Sequence, residues 1–226
     1  MRRGASQARP GPALIPAWVP CGAGRIRRLL CAAREGVRYR SGMTIVPDTK
    51  DWTWVLQRPC SECGLDSQSF ARDAVAGMIR SNAAAWTDAL AQATGARDRP
   101  ARGKWSALEY GCHVRDVLRL FDRRLEMMLT QEAPQYPNWD QDATAVADRY
   151  GEQDPATVAT ELNQAAETIA ARFETLSPGQ WQRTGSRSDG AHFTVESFAK
   201  YFVHDPVHHL YDVTGIQYAD QARPAT

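Results

Sequence analysis

His204-Asp205-Pro206-Val207-His208-His209, close to the C-terminus, places three of the chain's five histidines within six residues. His204 and His208 stand four apart, so on a helix they share one face, one turn above the other. At that spacing two imidazoles can hold one metal ion. The flanks predict a helix: Thr194 is a capping residue, Phe193 and Phe198 form a hydrophobic staple, and Gly215 is a stop signal after about Val213. Pro206 removes one backbone hydrogen bond and crowds the Phe202 carbonyl, which predicts a kink. Asp205 and His209 form a second i, i+4 pair. The kink therefore leaves open whether His208 or His209 turns inward.

Three more helical segments lie upstream. Asp154-Pro155 opens one, an N-cap followed by proline at the first helical position. Its stripe is Val158, Leu162, Ala165, Ile169, Phe173 and Leu176, and Ser177-Pro178-Gly179 ends it. Another runs from Ser106 to about Gln131. There Ser106 and Glu109 make a capping box and Trp105 with Tyr110 a staple. Tyr110, Val114, Val117, Phe121, Leu125 and Met128 form its buried face, with His113 beside them. The earliest runs from about Arg72 to Ala93 on Val75, Ile79, Ala83, Trp86 and Leu90, and Gly95 and Pro100 close it. Residues 132–153 read as a long connection packed as a lid or functional loop. Trp181 to Gly190 reads as a loop or tight hairpin. The fold class is all-α, an up-down four-helix bundle with one long crossover.

The chain of 226 residues suits one domain with an appendage. Residues 1–42 hold nine arginines and one acid, leaving 18 bases and 25 acids for the rest, about −7. An acidic body argues against a nucleic-acid partner. No apolar run reaches the ~18–20 residues that cross a bilayer. Five scattered cysteines are no disulfide framework and suggest a reducing cytoplasm. The expected organisation is a disordered extension over 1–42, a lead-in over 43–71, the bundle over 72–218 and a tail over 219–226. Met43 is a candidate true start. In the lead-in, Cys60-Ser-Glu-Cys63-Gly64 resembles half of a zinc knuckle. A full site needs four ligands and no second CxxC exists, so loop cysteines are expected.

In a bundle, metal sites are built from side chains on facing helices. His113 on the second helix and His204 with His208 on the fourth fit that plan as three ligands. Three imidazoles suit zinc first, with nickel or iron as alternatives, and leave a position open for water or substrate. Asp116 and Asp212 are candidates to orient the imidazoles, and His209 is the alternative ligand. Arg183 and Arg187 are candidates to hold a substrate carboxylate, with a solvated loop as the plain alternative. Trp139 is a candidate to cover the metal. Cys112 reads as a small core residue and His192 as a surface one.

Trp105-Ser-x-x-Glu-Tyr-x-Cys-His113-Val-x-Asp116, together with His204-x3-His208-His209-Leu210, resembles the DinB-like superfamily over roughly residues 68–215. That group includes bacterial thiol-dependent S-transferases and mycothiol-dependent maleylpyruvate isomerases. The resemblance implies a four-helix bundle, often a homodimer, with a divalent metal on His113, His204 and His208. It further implies that a low-molecular-weight thiol of the mycothiol type attacks a small electrophile. A non-catalytic stress or ligand-binding bundle and a metal-dependent hydrolase are the other readings. Pro206 between the paired ligands departs from the family pattern.

Overall fold

The structure, a computed structural model, describes residues 51–221. The expected extension over 1–42, the start of the lead-in and the end of the tail lie outside the described residues.

Six helices and a small sheet make up the described chain. The helices are α1 Val75–Gln92, α2 Ala107–Thr130, α3 Gln141–Ala147, α4 Pro155–Glu174, α5 Val195–Thr214 and α6 Tyr218–Gln221. The strands are β1 Gln135–Tyr136, β2 Thr184–Arg187 and β3 His192–Thr194. The long helices start where their capping residues stand. Ser106 accepts from the Glu109 amide and the Glu109 carboxylate accepts from the Ser106 amide, closing the capping box. Trp105 and Tyr110 staple it with ring centroids 5.5 Å apart. Asp154 caps α4 through the Thr157 amide, with Pro155 next. Thr194 caps α5, and Gly215 ends it at φ +70°. The helix is continuous through Pro206. Ser106→Ala is expected to cost about 1 kcal/mol, read from chemical denaturation, because it strips one cap from a buried helix start.

Each of α1 and α2 packs against both α4 and α5. Helices adjacent in sequence are thus not always adjacent in space. Where α1 meets α2, Gly111 lies against Leu90, and a Cβ there would stand 3.1 Å from the leucine methyls. The apolar stripes read from the sequence are largely the core: Val75, Ile79, Ala83, Trp86 and Leu90 on α1 all bury, as do Val114, Val117, Phe121, Leu125 and Met128 on α2, while Tyr110 and Leu176 are half-buried at its edge. No helix among the described residues is long and apolar enough to cross a membrane.

Two connections carry more structure than the sequence suggested. Residues 132–153 are not an irregular loop: they hold β1, α3 and a 3-10 turn at Tyr150–Glu152. Trp181 to Gly190 does form a hairpin, β2 antiparallel to β3, and β1 adds to β2 in parallel. The sheet order is β1-β2-β3. It ties the 132–153 segment to the β2–β3 hairpin, as does the Asn138 amide donating to the Ser188 hydroxyl, just before Trp139.

Candidate metal centre

Two donor pairs alternate along α5. His204 and His208 occupy one face, and Asp205 and His209 sit one residue on, turned by about 100°. The two faces meet different partners. Cys60, Cys63, His204 and His208 form one group, and His113, Asp205 and His209 form another; within each, one donor atom per residue lies within 4.8 Å of the rest. The expected set of His113, His204 and His208 is therefore divided between two groups. The reason is helical phase: α2 looks onto the Asp205–His209 face, while the turn carrying the CxxC looks onto the other.

His113 sits about two turns into α2 and is 1 % exposed. Its ring stacks on Trp139 at 5.3 Å and 11° and packs against Trp105 at 5.2 Å. Neither of its ring nitrogens has a hydrogen-bond partner, nor does Asp205 Oδ1. His113 Nε2 stands 3.5 Å from Asp205 Oδ1, and His209 Nε2 stands 3.9 Å from the same oxygen. Both imidazoles thus aim Nε2 at one carboxylate oxygen. Asp212 Oδ2 lies 2.9 Å from His209 Nδ1, which fixes the ring with Nε2 pointing inward. Burial pushes the His113 pKa down, opposed by the Asp205 carboxylate. Burial would raise Asp205, but His113 and His209 outweigh it and hold the carboxyl at about 2.

A buried polar atom without a partner costs about 1–3 kcal/mol. His113 Nε2 and Asp205 Oδ1 are two such atoms, and His209 Nε2 converges on the same oxygen; two imidazoles and a carboxylate are a donor set for zinc and for non-haem iron. The group is open on one side: the Asp205 and His209 side chains keep 32 % and 20 % exposure.

The other expected residues fall as follows. Asp212 serves His209 rather than His208, whose Nε2 is 3.9 Å away. Asp116 does not bond an imidazole; it accepts from Arg115 at 2.9 Å and from the Tyr150 hydroxyl at 2.5 Å. Arg183 donates to the Met128 and Gln131 carbonyls at the end of α2, so it caps a helix instead of waiting for a carboxylate. Arg187 is held by Asp189 and donates to the Tyr201 hydroxyl. Trp139 is part of the wall around His113, its indole N–H donating to Thr144. Cys112 is buried, and burial pushes its thiol up to about 12. Cys60 and Cys63 lie on a turn between elements, as expected of loop cysteines, but both are buried and grouped with His204 and His208 of α5. The signal that would have found them was present: a CxxC and an HxxxH each supply two ligands. Asp205 was visible only as the partner of a spare histidine.

A helical bundle with two clusters of side chains that could hold a metal, sharing one helix, is the class this geometry defines. The DinB superfamily pattern matches residues 29–213, and the chain belongs to that superfamily. Among solved structures it is similar to YfiT from Bacillus subtilis, described as a probable metal-dependent hydrolase with an unusual four-helix bundle topology. The TM-score is 0.61 at 20 % identity, covering 64 % of this chain and 84 % of YfiT. At that identity the likeness shows the fold. A comparison with curated proteins finds no match.

Proposed function

We propose that the chain is a metal-dependent enzyme in which His113, Asp205 and His209 hold a divalent cation and a low-molecular-weight thiol attacks a small electrophile beside it. Zinc is the first choice of metal, with iron or nickel as alternatives. The observation that carries this reading is the half-open cluster: one donor atom each from His113, Asp205 and His209 within 4.8 Å of the others, with exposure confined to Asp205 and His209. An open side is what distinguishes a reactive metal site from a structural one. When bound, the cation supplies Lewis acidity that makes a thiol or water nucleophilic near neutral pH.

The chain's own residues do the positioning. Trp105 and Trp139 hold the His113 ring and keep water from it. Asp212 sets the His209 tautomer. Tyr110 packs on the His209 ring at 5.0 Å and steadies it from the α2 side. Access is left along Asp205. This reading includes a reducing cytoplasm, where such thiols are abundant, and a homodimer, which light scattering tests.

Metal-loaded protein incubated with chlorodinitrobenzene is expected to turn over only when a small thiol is added. Thiol-independent hydrolysis of an activated ester, with no thiol-dependent reaction, would replace this reading with the hydrolase one that the description of YfiT favours. Asp212→Asn is expected to weaken metal binding roughly 10–100-fold, the usual effect of losing a partner behind a ligating histidine. Equilibrium competition with a chromophoric chelator measures it.

A further inference from the structure

We propose that Cys60, Cys63, His204 and His208 form a second metal site, a closed structural zinc site that fixes the rotation of α5. It is separate from the His113 cluster and does not depend on the enzymatic reading.

The ligand types and spacings suit zinc: CxxC on a tight turn and HxxxH on a helix give two thiolates and two imidazoles. The distances agree. Cys60 Sγ lies 3.6 Å from His208 Nδ1. Zn–S of about 2.3 Å and Zn–N of about 2.0 Å at a tetrahedral angle place sulfur and nitrogen about 3.5 Å apart. All four donor atoms fall within 4.8 Å of one another. Cys60 and Cys63 are free thiols, not a disulfide.

Burial separates this group from the other. Cys60, Cys63, His204 and His208 are 2, 0, 4 and 6 % exposed, with no side left for a substrate. Closed four-ligand sites are structural. His204 Nε2 is buried without a hydrogen-bond partner, and metal ligation would satisfy it. Two thiolates neutralise one Zn²⁺, so the burial leaves no net charge in the core.

The surroundings are built for the same purpose. Gly64 adopts φ +76° and its amide donates to the Cys60 carbonyl, while the Cys60 amide donates to Leu65. This holds the CxxC turn in shape. The Tyr218 amide donates to the Cys63 carbonyl, tying in the segment after α5. Glu62 Oε2 stands 3.4 Å from His208 Nε2, leaving Nδ1 for the metal. Trp52 packs on the His204 and His208 rings at 5.4 and 5.0 Å. Because His204 and His208 each precede a member of the other pair by one residue, anchoring them turns Asp205 and His209 toward His113.

The test uses full-length protein loaded with cobalt(II). Wild type is expected to show thiolate-to-cobalt charge transfer and the intense visible bands of a tetrahedral site, and His113→Ala is expected to retain them. The double variant Cys60→Ser, Cys63→Ser should lose these bands together with one metal equivalent. If that variant does not fold, alkylation of wild type resolved by peptide mass spectrometry decides. Cys60 and Cys63 should resist alkylation until a strong chelator is added, then react together as one zinc is released. Wild type fully loaded with cobalt but lacking thiolate charge transfer would overturn the proposal. So would alkylation of the two cysteines at the same rate with and without chelator.

Discussion

His113→Ala is expected to remove one metal equivalent and abolish thiol-dependent turnover while the protein stays folded. The imidazole is the only donor that α2 contributes to its group, so its loss leaves Asp205 and His209 as two ligands from one helix. The structural cost is modest for a buried side chain. The ring's contacts with Trp105 and Trp139 disappear, but its two nitrogens have no hydrogen bonds to lose. Destabilisation of no more than about 3 kcal/mol follows from the cavity alone. Elemental analysis, with circular dichroism to confirm folding, reads the outcome. A folded variant with wild-type metal content would rule out this ligand set.

Trp86→Ala is expected to have the largest effect on stability, about 3–5 kcal/mol. Trp86 is fully buried at the interface of α1 with α5, and its indole N–H donates to the Pro206 carbonyl at 3.1 Å. Asn82 donates to the same oxygen at 3.3 Å. These two bonds hold α1 in register with the histidine-bearing stretch. In a domain of this size the loss corresponds to a fall in Tm of about 6–20 °C. The measurement is thermal unfolding in chelator, so that bound metal does not mask the difference. Trp86→Phe should recover most of the packing and lose about 1 kcal/mol for the hydrogen bond.

The helices were legible because their ends are chemically marked. Ser106 with Glu109, Asp154 with Pro155, and Thr194 with Gly215 act within a few residues, so sequence alone locates them. The small sheet was not legible, because β1 has two residues and takes its hydrogen bonds from β2, far along the chain. That pairing holds the segment just before Trp139, whose ring stacks on His113. The candidate site was half legible. The sequence displays both i, i+4 pairs on α5, but which pair faces α2 depends on a rotation of about 100° set by tertiary packing. A half knuckle at Cys60 and Cys63 looked incomplete because the histidines it lies against stand on a helix face rather than on a second turn. Arg183 looked free because nothing local shows that the last carbonyls of α2 need donors.

The central claim is that one helix serves two metal groups through two donor pairs offset by one residue. A crystal structure of zinc-loaded protein, with anomalous scattering collected at the zinc edge, tests it most directly. The account predicts two peaks, one enclosed by Cys60, Cys63, His204 and His208 and one between His113, Asp205 and His209. A single peak shared by His113, His204 and His208, or zinc-loaded crystals with no peak at either group, would contradict it.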